Sequence, residues 1–168
     1  GGLGIPYNSD KTPPPKDLVS IIEEELKDRN EKIILEPGRS ITGNAGILLT
    51  KVEYIKDNFL VVDAAMNDLL RPALYNAKHD IWNLKQNDSY TKKWTIVGPV
   101  CESSDILAKD HEMNASEGDI LAIKTAGAYG FVMSSNYNSR ARAPEILVDN
   151  NQYTVIRKRE SFKDLIRN

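Results

Sequence analysis

Cysteine is almost absent from this chain: Cys101 is the only one in 168 residues. One cysteine cannot close a disulfide within the chain, and no signal-peptide pattern opens it, so a reducing, cytoplasmic setting is expected. Histidine and tryptophan occur twice each. Neither His79 nor His111 has the clustered donors a metal site requires, so no metal is expected, and these residues are assigned to packing or surface. No apolar run approaches the ~20 residues of a membrane span, which excludes a spanning helix. Charge of one sign is also missing. Lys and Arg number 22 against 24 Asp and Glu, with no long run of either, so the basic patch that a nucleic-acid partner needs is lacking. What remains is ordinary globular material, 40% hydrophobic and 27% charged. Such a chain buries roughly 70% of its extended surface in one domain-sized unit.

The segments fall into two parts. Gly1, Gly2 and Gly4 form a loop, and Pro13, Pro14 and Pro15 forbid a helix before Lys16. Leu18, Ile21, Ile22 and Leu26 then recur at helical spacing, giving one apolar face. Ile33, Ile34 and Leu35 read as a short buried parallel strand that ends at Pro37 and Gly38. Beyond about Thr42 the pattern turns to strands: 47–55 and 59–63 as a hairpin about Lys56-Asp57-Asn58, then 94–97, 120–124, 130–133, 145–148 and 153–157. Turn chemistry at Ser116-Glu117-Gly118-Asp119 and Asp149-Asn150-Asn151-Gln152 separates several of them. A helical turn within 63–70 and a short helix from Ser161 complete the reading. The fold class expected is α/β plus all-β: residues 1–42 as the C-terminal end of a (β/α)8 TIM barrel, residues 43–168 as a β-sandwich or barrel-like domain.

Two glycine turns one helix and one strand apart would suit adjacent loops of such a barrel, which often hold phosphate on backbone N–H groups. On the glycines alone, two ordinary turns are the stronger reading. Cys101 and Glu102 lie between Pro99 and Ser103-Ser104-Asp105, a loop context that lets neighbouring side chains serve one site, as a strand would not. A thiol ordinarily titrates near ~8.5 and is mostly protonated at neutral pH; an adjacent carboxylate disfavours the thiolate further. That chemistry fits a proton donor better than a nucleophile. An inert buried cysteine is the alternative on the residues alone.

The motifs EPGRSI (36–41), CESSD (101–105) and AGAYG (126–130), with DAAMNDLLRPALYNAKH (63–79), NYNSRARAPEILVD (136–149) and YTVIRKRESFKDLI (153–166), occur in this order. On them the chain resembles the diaminopimelate decarboxylases, among the alanine-racemase-like, fold-type III pyridoxal-phosphate enzymes. The resemblance runs from Gly1 to the C-terminus and implies the C-terminal part of a two-domain homodimer that converts diaminopimelate to L-lysine and CO2. The family's Schiff-base lysine and the histidine that stacks on the cofactor ring have no counterpart here, so this piece alone is not expected to decarboxylate.

Residue by residue, the resemblance implies that Gly1, Gly2, Gly38 and Arg39 bind the cofactor phosphate and that Glu36 faces its pyridine nitrogen. A carboxylate there keeps the ring protonated and able to accept electrons. Without the resemblance, Glu36 would pass for a surface or helix-start acid. Arg39, Arg71 and Tyr75 are implied to bind the substrate's distal end, where guanidinium forks suit a carboxylate. Salt bridges and packing are their alternatives. Tyr129 is implied to close over cofactor and substrate, and a structural tyrosine is the alternative. Cys101 is implied to be the catalytic proton donor and Glu102 to meet the substrate's distal ammonium, both in the partner subunit's site. An ornithine- or arginine-type decarboxylase is the rival substrate class, disfavoured because those enzymes usually carry aspartate after the cysteine. A non-catalytic paralogue that binds the cofactor remains a second alternative, and a free-standing β-module a third.

Overall fold

Alternation of apolar and polar residues builds the sheet outward from one hairpin. β1 (Leu48–Lys56) and β2 (Phe59–Val62) pair antiparallel, with Lys56 opposite Phe59. The chain reverses at Asp57, whose φ of 55° is left-handed, a conformation that aspartate tolerates in turns. On its other edge β1 pairs antiparallel with β6 (Ile120–Ile123), and β6 pairs with β3 (Ile81–Asn83). β2 runs parallel to β4 (Lys92–Val97), which pairs antiparallel with β5 (Ile106–Met113). The strand order is therefore β3-β6-β1-β2-β4-β5. Its two ends meet: His111 Nε2 on β5 lies 2.8 Å from the Ile81 carbonyl on β3. The mixed sheet thus curls into a nearly closed, barrel-like β-domain. Val52, Leu60, Ile96, Leu107, Leu121 and Ile123 fill it at 2% exposure or less. A separate hairpin follows, β7 (Glu145–Asp149) with β8 (Gln152–Arg157), turning at Asn150.

This computed structural model describes residues 1–7, 11–85 and 90–166. Helices are few among them. α1 (Pro15–Glu25) begins at a proline, tolerated where the first N–H has no helical partner, and buries none of its residues. α2 (Arg39–Thr42) follows Gly38 and runs into a 3₁₀ turn at Gly43–Ala45. α3 (Arg71–Tyr75) carries Pro72 in its first turn and ends on left-handed Asn76. α4 (Phe162–Leu165) is closed by reciprocal bonds between Ser161 and Asp164.

Two expected strands are not strands. Residues 33–35 belong to no strand, and Ile34 is 73% exposed. A parallel strand exists only between neighbours, and none of the described strands reaches this segment. Residues 130–133 form a 3₁₀ turn over Phe131–Met133 instead. There the Ser134 hydroxyl and amide both donate to the Phe131 carbonyl, a local closure that competes with a sheet ladder. Strands β3 and β5 were not foreseen. In β5 the run Lys109-Asp110-His111-Glu112 hides the apolar period, and Asp110 is left-handed at φ 51°.

Candidate active site

One end of the barrel gathers four side chains from three separate segments. Arg39 opens α2, Arg71 opens α3, Tyr75 closes α3, and Tyr129 sits in the loop after β6. With Met133 they line a pocket of about 250 Å³. The Arg39 guanidinium lies 5.3 Å from the centre of the Tyr129 ring, and that of Arg71 lies 5.6 and 5.8 Å from the Tyr75 and Tyr129 rings. Tyr7, from the glycine-rich first loop, offers a third ring, 5.1 Å from Arg71 and 5.8 Å from Arg39. Ring faces attract cations without neutralising them. Among the described residues no carboxylate stands within ion-pair distance of either arginine. Arg71 is only 7% exposed, and its Nε has no hydrogen-bond partner. A buried guanidinium with unspent donors is a site for an incoming anion, since leaving it bare is costly.

Backbone geometry fixes these positions. Tyr129 has φ 59°, a strained conformation for an aromatic residue and of the kind that concentrates at functional sites. Its loop is clasped to the segment after α2: the Ala126 amide donates to the Gly46 carbonyl at 2.9 Å, and the Gly127 amide donates to the Gly43 carbonyl at 3.0 Å. Gly46 and Gly127 must both be glycine, because a Cβ on either would overlap the other's backbone. A methyl group on Gly38 would stand 3.9 Å from the Tyr129 hydroxyl, and one on Gly1 would stand 3.3 Å from the Glu36 carbonyl. The first glycine loop, the EPGR turn and the Tyr129 hydroxyl therefore border one another. Gly2, at φ +91°, faces open space. Glu36 is exposed in the turn before α2.

Beneath Arg71 lies His79, 4% exposed. Its Nδ1 is 2.8 Å from the Lys124 carbonyl, which can only accept, so Nδ1 carries the proton. Nε2 is then a bare, buried acceptor without a partner, as is the Tyr7 hydroxyl oxygen. The two rings meet edge to face at 5.0 Å. Burial holds the His79 imidazole below its ordinary pKa; the Lys124 bond opposes this, and the charge of Arg71 adds to it. Neutral His79 with Tyr7 thus forms the floor under a cation.

Cys101 and Glu102 stand apart from this pocket, both exposed. Their loop is pinned by buried Asp105, whose carboxylate accepts from the amides of Met66 at 2.7 Å and Val100 at 2.8 Å. Burial raises the Asp105 carboxyl above its usual range, against those two bonds and the charge of Arg140. Glu102 accepts from the Tyr137 hydroxyl at 3.2 Å and from the Ser103 hydroxyl at 3.3 Å. The Ser104 amide, then Tyr137, then Ser103 lower its pKa. Sequence reasoning did not find Tyr7, Asp105 or Tyr137, and left His79 to packing or surface. The run from Gly4 through Pro6 to Tyr7 was the available signal for the first of these. Among the described residues no group of three or more metal-ligating side chains occurs.

A nearly closed mixed sheet with two guanidiniums and tyrosine rings gathered at its mouth defines the class, a β-sheet domain with a polar pocket at one end. The chain is a member of the family described as pyridoxal-dependent decarboxylase, C-terminal sheet domain, whose profile matches residues 9–127. It is 50% identical over 169 residues to the diaminopimelate decarboxylase of Pseudomonas aeruginosa, covering 98% of this chain and 41% of that protein. The corresponding protein of Aquifex aeolicus is 49% identical over 172 residues, with 99% and 41% covered. The crystal structure of diaminopimelate decarboxylase from Helicobacter pylori in complex with L-lysine superposes with a TM-score of 0.92 at 44% identity, covering 98% of this chain and 42% of that one. The chain thus spans about two fifths of the length of these relatives.

Proposed function

We propose that this chain is the C-terminal part of a pyridoxal-phosphate-dependent decarboxylase acting on meso-2,6-diaminopimelate and releasing L-lysine and CO2. In this reading residues 1–42 complete the cofactor-bearing barrel and residues 43–168 form the β-domain. The observation that carries it is the pocket where Arg39 and Arg71 lie among tyrosine rings without carboxylate partners. A diaminopimelate end carries a carboxylate, and two guanidiniums with a phenol from Tyr75 suit it. A substrate with only a distal ammonium would be repelled by the same pair.

The residues also fit the cofactor. Gly38 borders the Tyr129 hydroxyl, Gly1 borders Glu36, and Gly2 faces open space, which leaves room for a phosphate against glycine backbone. Arg39 adds positive charge there, and Glu36 is the carboxylate for the ring nitrogen. Pyridoxal phosphate supplies the electron sink that lets the Cα–carboxyl bond break. The chain's own residues orient the substrate so that this bond is the one weakened. The partner's Cys101 then delivers its thiol proton to Cα as CO2 departs, and the thiol is restored from solvent. Exposure of Cys101 outside its own chain's pocket supports a site completed across a homodimer. The 168-residue piece is inactive alone.

The test is to assay the full-length enzyme on meso-diaminopimelate and on ornithine. Turnover of the former is expected, with KM raised at least about tenfold by Arg71→Lys, which loses the planar fork. Preferential turnover of ornithine would overturn the reading.

A further inference from the structure

The Glu102 side chain is exposed, and an exposed carboxylate on a free rotor is a poor recognition element. Ordering it costs rotamer entropy. The structure holds it by a residue 35 positions away, because Tyr137 donates to Glu102 Oε2 at 3.2 Å. What makes this more than a chance surface contact is how firmly the Tyr137 segment is built. Asn136 Nδ2 donates to the Arg140 carbonyl at 3.0 Å and to Glu160 Oε2 at 2.6 Å. The Ser135 amide donates to the Asn67 carbonyl at 3.0 Å. Arg140 returns to the same anchor, with Nε on Asn67 Oδ1 at 2.9 Å and Nη2 on the Asp63 carbonyl at 2.7 Å. Asn138 and Ser139 both take left-handed φ, at 60° and 56°. Two successive non-glycine residues in that region represent strain that the surrounding bonds maintain. The loop bearing Glu102 is equally fixed, through Asp105.

We infer that Tyr137 is a positioning residue for Glu102: two independently braced loops meet so that its hydroxyl orients that carboxylate toward the ammonium group of a substrate bound in the partner's pocket. This rests on the reading of Glu102 given above. The groups facing Glu102 are Tyr137, the Ser103 hydroxyl and the Ser104 amide, with the Cys101 thiol close enough to act on Tyr137. Among the described residues no lysine or arginine forms an ion pair with it. Arg140 is turned away toward Asn67 and Asp68. The ionised carboxylate is the form that attracts an ammonium, and the Tyr137 bond favours that form.

The test uses the full-length holoenzyme and competitive inhibition by L-lysine, the product, whose α-ammonium and α-carboxylate are those of the diaminopimelate end that is not decarboxylated. Tyr137→Phe keeps the ring and removes only the donor. It is expected to raise the lysine inhibition constant about threefold to tenfold, the scale of one hydrogen bond. It should lower kcat less, and move the acid limb of lysine binding to higher pH. On a Glu102→Gln background it should add nothing. An unchanged inhibition constant in Tyr137→Phe, with Glu102→Gln weakened, overturns the positioning role alone. An equal loss on both backgrounds does the same, since Tyr137 would then act without Glu102. If Glu102→Gln itself leaves lysine binding intact, the reading of Glu102 falls, and the positioning role with it.

Discussion

Arg71 is a buried cation among tyrosine ring faces, one of which, Tyr7, packs on His79, so its surroundings are polar without being neutralising. That arrangement makes His79 sensitive to acid. Its pKa is lowered in the fold, first by burial and then by Arg71. The sign follows from linkage: the unfolded chain binds the proton more readily, so stability from neutral His79 is fully present above about 6.5, the ordinary value, and is lost as pH falls through and below it. The thermal midpoint of the full-length enzyme should therefore drop between pH 8 and pH 5.5. His79→Asn, which keeps a donor for the Lys124 carbonyl, should be less stable at pH 8 yet lose part of that slope; an identical slope would remove His79 as its source. Cys101 makes a separate claim. Its exposure is that of a group awaiting something outside the chain. Cys101→Ala in the full-length enzyme is expected to cut turnover about a hundredfold or more, the usual scale of a lost acid, with cofactor absorbance intact. Near-normal turnover would return Cys101 to the inert role.

Among the elements, the loops do more for the candidate site than the strands. Gly127 lies so close to the Thr42 and Gly43 carbonyls and the Gly46 amide that any Cβ must displace the clasp. Gly127→Ala should cost about 1–3 kcal/mol, the usual range for overpacking, and should raise the substrate KM because Tyr129 and Arg39 shift together. A stability loss with KM unchanged would show that the clasp does not set the site. The sequence declared the hairpin at Asp57-Asn58 and the α1 face openly, through turn chemistry and helical spacing. The same reasoning found β6 but missed β3 and β5, and it expected a strand at 33–35 that does not form. β5 carries three charged residues among its eight because only part of it meets the core, and the segment 33–35 carries strand composition without strand neighbours. The pocket was partly legible: Arg39, Arg71, Tyr75 and Tyr129 were named from motifs, whereas Tyr7 and His79 act through contacts that no spacing encodes. Asp105 stood in plain sight within CESSD, but its work is to pin backbone amides, which sequence does not display.

For the whole molecule, the distribution of apolar surface is the telling feature. The barrel interior is filled, yet the flanking elements are bare. No residue of α1 is buried, and Ile21 is 59% exposed. On the β7–β8 hairpin Val148, Tyr153 and Ile156 are 60–76% exposed, and Phe162 beyond it reaches 81%. Soluble monomers rarely expose contiguous apolar patches beyond a few hundred Å², so these faces call for a cover. Under the proposed function the cover is the rest of the enzyme, of which this chain would be the part that matches 41% of the Pseudomonas aeruginosa protein's length. The 168-residue chain produced alone should therefore bind an apolar fluorescent dye strongly and self-associate in size-exclusion chromatography. The same segment within the full-length enzyme should bind little dye. Replacing Val148 and Ile156 with threonine should improve the behaviour of the isolated chain while lowering the thermal midpoint of the full-length one, because the same side chains would be exposed in one setting and packed in the other. A gain in both settings would mean that the hairpin is never covered, and the partition of this chain into a self-sufficient barrel and borrowed flanks would fail with it.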